Sequence, residues 1–221
     1  MALSNYSELK SAIANWLNRS DLTSEISNDF ITLAEADFNA KLRVRQMINQ
    51  VAITVNAETE NLPTGFLQVR DFYILSGSVK YPLRYITPSQ MDQIKGTNTS
   101  GMPVAYTILG GTFRFAPVPS QDYTAYLNYY KKFDALSDSN TSNEILSDHP
   151  AIYLYGSLFH ASNFLGGVNP QQMQTWQQMY ATALERLELN DREDQFSGSP
   201  LQMRGEDTVA SPFKNITTKY Y

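Results

Sequence analysis

The residues that could do chemistry are few, and none is spaced for catalysis. The two histidines are His149 and His160. His149 adjoins Pro150 where a helix is expected to start, so its place is explained by capping. His160 falls within a helical pattern that has no second histidine or carboxylate four residues on, which excludes the zinc-binding HExxH arrangement. No phosphate-cradling GxxxxGK[ST] run and no GxSxG nucleophile elbow occurs. Asp138, Asn140 and Ser142 open like a calcium loop, but Asn143 stands where the loop needs Gly and His149 where it needs Glu, so that site is rejected. An acid/base pair for glycoside hydrolysis could be drawn from Glu8, Glu25, Asp29, Glu35 and Asp37. On amphipathic helices these read as solvent-face charges. Lys41, Arg43 and Arg45 close a predicted helix, where cations complement the negative end of the macrodipole; the alternative is a phosphate contact. Lys131-Lys132 is too small a patch to argue nucleic-acid binding. Tyr123, Tyr126, Tyr129 and Tyr130 crowd one strand and motivate a carbohydrate-binding reading. No cofactor, metal or catalytic residue is implied.

The elements that must position these residues can be read from periodicity. Asn5 and Glu8 have capping-box spacing, and Leu9, Ala12, Ile13, Trp16 and Leu17 share one face, which predicts a helix over 5–18. A second helix is expected from Thr23 to Arg45, with Ile26, Phe30, Leu33, Ala34, Phe38 and Leu42 inward. From Met47 the period shifts toward two. Strands are expected over Val51–Val55, Phe66–Leu75 and Tyr81–Ile86, with turns at Leu62–Gly65 and Ser76–Ser78. Thr87-Pro88 begins a short helix that Gly96 stops. Ala105–Ala116 reads as a hairpin turning at Gly110-Gly111. Leu109 should pair with Thr112, leaving Tyr106, Ile108, Phe113 and Phe115 on the buried face. A strand over Tyr123–Phe133 carries rings on both faces. After a polar loop, Ala135–Glu144, the run Ser147-Asp148-His149-Pro150 opens a helix that apolar residues surround, ended by Gly166-Gly167. Asn169-Pro170 starts another, with Met173, Trp176, Tyr180, Ala183, Leu184 and Leu187 in one stripe.

With 221 residues, 42% of them hydrophobic and none of them Cys, the chain is expected to fold by packing alone, without disulfides or thiolate metal sites. A net charge of −5 disfavours broad adhesion to nucleic acid or anionic lipid. The polar N-terminus and the lack of an apolar run near ~18 residues predict no secretory signal and no membrane span. Beyond Phe196 the composition turns to Ser, Gly, Pro, Thr and scattered charge, too poor in apolar surface to fold unaided. The class expected is α+β: a helical bundle from N- and C-terminal helices with a β-rich insertion of antiparallel hairpins and an extended C-terminal tail. The expected division is a single domain over 1–196, helical over 1–46 and 147–196 with the insertion at 47–134, followed by an arm over 197–221.

Five segments in order resemble the head-to-tail adaptors, also called connector or tail accessory proteins, of short-tailed and some other tailed phages. They are ITLAEADFNAKLRVRQM (31–47), LPTGFLQVRDFYI (62–74), PLRYITPSQMDQI (82–94), PVAYTILGGTFRFAPVP (103–119) and YLNYYKKFDALSDSNTSNEILSDHPAIYLYGSLFHA (126–161). The likeness runs from about Asn28 to Leu189 and rests on order and spacing. It implies a structural, non-enzymatic virion protein made in the host cytoplasm. Such a protein forms a homo-oligomeric ring, mostly a dodecamer, beneath the portal protein and meets a downstream tail protein, a nozzle or tail tube. DNA would pass through non-specifically, and no membrane is involved. The C-terminal segment would run along the portal or a neighbouring subunit. Candidate contacts there are Met203, Arg204, Val209, Pro212, Phe213, Lys214, Ile216, Tyr220 and Tyr221, and Lys41, Arg43 and Arg45 are candidate portal- or DNA-proximal cations. The alternatives are a tail-associated peptidoglycan hydrolase and a carbohydrate-binding tail module.

Overall fold

The computed structural model describes residues 3–95, 100–165 and 169–196. The expected stops at Gly96 and Gly166-Gly167, the arm over 197–221 and its nine candidate contacts lie outside the described residues.

Helix α1 (Tyr6–Leu17) starts as its cap predicts: the Glu8 backbone N–H donates to Asn5 Oδ1 at 2.9 Å. The return arm is displaced by one residue, because the Glu8 carboxylate takes the backbone N–H and hydroxyl of Ser4 instead of the Asn5 N–H. Asn18 closes the helix in the left-handed region at φ 52°. The expected second helix is broken up. It comprises α2 (Thr23–Glu25), a π-helical turn (Ile26–Phe30) in which the Ile31 N–H reaches back to the Ile26 carbonyl, and α3 (Ile31–Lys41). A π turn inserts one residue, which shifts the edge of the buried face after Phe30 relative to a plain 3.6-residue extrapolation, while Ala34, Phe38 and Leu42 stay buried as expected. Ile31 and Glu35 therefore turn inward, and Leu33, expected in the core, is 49% exposed. The helix ends at Lys41 rather than Arg45; Leu42 is extended and Arg45–Met47 form a 3₁₀ turn.

The strands then follow as β1 (Ile48–Val55), β2 (Thr59–Asn61), β3 (Phe66–Ser76), β4 (Val79–Pro82) and β5 (Arg84–Tyr85). Helix α4 (Pro88–Lys95) is capped reciprocally by Thr87 and Gln90. Strands β6 (Ala105–Leu109), β7 (Thr112–Ala116) and β8 (Tyr123–Lys131) complete two four-stranded sheets, ordered β1-β8-β3-β4 and β2-β7-β6-β5. The β6–β7 hairpin has the expected register: Leu109 faces Thr112, and Gly110 and Gly111 turn at φ 60° and 80°. The two sheets meet over a core of Val55, Phe72, Ile74, Leu83, Tyr106, Phe113, Phe115, Ala125, Leu127 and Tyr129. Phe72, from the first sheet, stands 5.1 to 5.8 Å from the rings of Tyr106, Phe113 and Phe115 of the second.

Three helices complete the described residues: α5 (Glu144–Asp148), α6 (Pro150–Leu165) and α7 (Pro170–Phe196). Helix α5 was not expected as a separate element, and only its first residue, Glu144, lies in the expected loop. Asn143 caps it, and His149 separates it from α6, so Ser147 and Asp148 lie inside a helix rather than capping one. Helix α7 buries Trp176, Tyr180 and Leu187 of its predicted stripe. A second core gathers Leu9 and Ile13 of α1, Ile31 and Phe38 of α3, Ile152, Tyr153 and Leu158 of α6, and Trp176 of α7. At Gly156 α6 lies close to α3 and α7: a Cβ there would stand 3.1 Å from the Tyr180 ring and 3.2 Å from Ala34 Cβ.

The class is α+β, but the expected architecture of a helical bundle carrying a β-rich insertion is corrected. Strands β1 to β6 all lie before residue 110, while the two longest helices, α6 and α7, follow residue 149. The strands are not hairpins appended to helices. They form two facing four-stranded sheets with their own aromatic core, and long-range pairing of β1 with β8 and of β3 with β8 organises that half of the molecule.

Candidate assembly interface

The groups that sequence reading singled out for chemistry are dispersed. Glu35, expected on a solvent face, is only 7% exposed, and its Oε1 accepts from the Leu136 N–H at 2.8 Å and the Tyr153 hydroxyl at 3.0 Å. Burial raises the Glu35 pKa, against the opposing pull of these two donors, and raises that of Tyr153 as well. Asn143 Nδ2 donates to the Tyr153 hydroxyl oxygen and to the Asp134 carbonyl. Asn39 Oδ1 accepts from the Phe133 N–H at 2.9 Å, while its Nδ2 donates to the Glu35 carbonyl. These buried polar groups tie α3 to the connector that leaves β8, which is a structural task. Asp37 accepts from the Tyr180 hydroxyl at 2.8 Å and pairs with Lys41 at 2.7 Å. Asp138 pairs with Lys10. The His149 N–H closes α5 on the Ile145 carbonyl. His160 Nε2 is buried without a hydrogen-bond partner among the described residues, and burial lowers its pKa, favouring the neutral ring. Among the described residues no group of three or more His, Asp or Glu is placed to hold a metal ion.

The four tyrosines of β8 do not form one platform. Tyr129 is buried between the sheets, and Tyr130 packs toward the helical core. Tyr126 is half-buried on the outer face, stacked on Tyr73 at 5.6 Å. Alternation along a strand sends neighbours to opposite faces, which divides the cluster.

All three candidate cations are engaged within the chain. Lys41 lies over the Tyr180 ring as well as pairing with Asp37. Arg43 donates to the Asn39, Ala40 and Leu42 carbonyls at the end of α3, as the macrodipole reading anticipates. Arg45 holds the last turns of α7: its backbone N–H and Nε donate to Asp191 Oδ1 at 2.8 and 3.2 Å. Its guanidinium also pairs with Asp194 at 2.8 Å and donates to the Asp194 carbonyl. Because Arg45 stands three residues before β1, the end of α7 is fixed beside the start of that strand. Sequence reading missed this relationship, which joins positions 146 residues apart.

Several large apolar side chains remain exposed. Trp16, expected in the core, is 50% exposed and lines an open groove with Leu3, Ala12, Asn15 and Leu154. Phe164, expected to help enclose α6, is 58% exposed. Of the carboxylates considered for chemistry only Glu35 is buried, and it serves packing, while Trp16 and Phe164 leave apolar rings at the surface.

The family model of the SU10 adaptor proteins matches residues 4–204. The chain belongs to that family, whose members are phage adaptors, structural virion components whose role implies interaction with portal and tail proteins in general. The match extends the resemblance read from Asn28–Leu189 in both directions. A comparison with curated proteins gave no match. No helix among the described residues is long and apolar enough to cross a membrane.

Proposed function

We propose that this adaptor works at the head-to-tail junction: copies form a ring under the portal, join it to the downstream nozzle or tail tube, and leave a channel for DNA. The observation that carries the reading is family membership over residues 4–204. The dodecamer is the copy number the resemblance favours. In this reading residues 1–196 act as one adaptor unit and residues 197–221 as an arm. The arm's apolar and aromatic positions, among them Phe213, Ile216, Tyr220 and Tyr221, seat on the portal or a neighbouring subunit. The net charge of −5 suits a wall past which DNA must slide.

Capture by purified portal protein tests this. The full chain should co-sediment with portal rings. Removal of residues 197–221 should leave a cooperative thermal transition, since both cores lie upstream, while abolishing capture. A truncated chain that binds portal undiminished would remove the arm from the account.

A further inference from the structure

Among the described residues four strands end the two sheets, and three are defended against further pairing. β2 and β5 span three and two residues. β4 spans four and contains Lys80 and Pro82. Short length, Lys and Pro are the devices that keep an edge from recruiting another strand. β1 has none of them: it runs eight residues, INQVAITV, without charge, Pro, Gly or register shift. Its pairing with β8 assigns the backbone groups of Asn49, Val51, Ile53 and Val55 to the sheet, so those of Gln50, Ala52 and Thr54 point away from it. The Gln50 N–H is taken by Asn49 Oδ1 at 2.9 Å. Those of Ala52 and Thr54 have no partner among the described residues, and both residues are exposed.

The chain carries a segment of matching length and type. Its last nine residues, FKNITTKYY (213–221), combine Phe213, Ile216, Thr217, Thr218, Tyr220 and Tyr221, all strand formers, with no Pro, Gly or acidic residue. They are tethered by residues 197–212 to the end of α7, which Arg45 fixes beside the start of β1. Sixteen residues reach on the order of 50 Å, about twice the length of an eight-residue strand. A segment reaching its own β1 by the shortest path would lie parallel to it, in a sheet whose ladders are all antiparallel, and to lie antiparallel its tether would first have to run the length of the strand and turn back. A neighbouring copy imposes no such direction.

We propose that residues 213–221 of one subunit add as a fifth, antiparallel strand to the β1 edge of the next, covering Ala52 and Thr54. This deepens the arm reading above and rests on it. Backbone hydrogen bonds would supply the affinity, and the alternating Ile216, Thr218 and Tyr220 the specificity.

The natural absence of Cys makes a disulfide trap clean. Ala52→Cys is combined in the full chain with Ile216→Cys, Thr218→Cys or Tyr220→Cys in turn, and the oxidised, portal-bound protein is run without reductant. A ladder of covalent multimers in at least one pair is expected. A bridge within single chains, or none in any pair, would overturn the proposal. In parallel, hydrogen exchange of unmodified protein at the Ala52 and Thr54 amides should slow on the order of a hundredfold on assembly. Truncation after Pro212 should abolish that slowing; unchanged exchange would also overturn the proposal. If rings form on the portal without either signal, the strand exchange fails and the adaptor reading stands. If no rings form, the adaptor reading fails with it.

Discussion

The hydroxyl of Tyr153 on α6 donates to the carboxylate of Glu35 on α3 at 3.0 Å, inside the helical core and 118 positions away in sequence. The same Glu35 oxygen accepts the Leu136 N–H, so one atom joins two helices and the connector from β8. Burial raises the Glu35 pKa above its ordinary 4.5, so the folded state binds its proton more tightly than the unfolded chain does. Stability from this group is therefore greatest below pH ~4.5 and declines as pH rises from there through the raised folded value. Glu35→Gln keeps an acceptor and should flatten that decline in melts taken across pH. Glu35→Ala strands the Leu136 N–H and the Tyr153 hydroxyl and should cost about 2 to 6 kcal/mol at pH 7, at ~1 to 3 kcal/mol for each unsatisfied group. A steeper decline in the Gln variant would show that the carboxylate is not the titrating group.

Gly156 lets α6 approach α3 and α7 closely. Adding a Cβ meets Tyr180 and Ala34 at 3.1 and 3.2 Å. Overpacking of this kind costs about 1 to 3 kcal/mol, and alanine's better helix propensity returns about 1. Gly156→Ala should thus be net destabilising by about 1 kcal/mol in denaturant unfolding, and Gly156→Val by more. A stabilised alanine variant would place the helices farther apart than described.

Arg45→Ala should loosen the end of α7 with little effect on the sheets. Its two ion pairs are partly exposed, so a loss of about 1 kcal/mol is expected, shrinking as salt is raised. Arg45→Lys should recover little of it, because one ammonium cannot serve Asp191, Asp194 and the Asp194 carbonyl from one fork. Hydrogen exchange across 186–194 checks this: faster exchange is expected in both variants, and unchanged exchange would deny Arg45 the clamping role.

Local chemistry was legible in the sequence wherever a few adjacent residues decide the outcome. The Asn5 cap, the Thr87-Pro88 start, the Gly110-Gly111 turn with its Leu109–Thr112 register, and the α7 stripe all depend on side chains within a turn of each other. What periodicity could not report was phase or partner. One inserted residue in the π turn at Ile26–Phe30 sent Leu33 out and Glu35 in, so a buried carboxylate read as a solvent-face charge. Strand patterns announced extended segments but not that β1 and β3 both lie against β8, which is what makes two facing sheets instead of inserted hairpins. The contact of Arg45 with Asp191 had no local signal, because each side chain taken alone is an ordinary helix-end or solvent-face charge.

The most direct test is a reconstruction of the portal vertex in intact particles. Density for this chain should form a closed ring between portal and tail, with the C-terminal residues of each copy reaching beyond its own folded unit. Finding the chain elsewhere in the particle, or each terminal segment wrapped on its own subunit with no contact to portal or neighbour, would contradict the account.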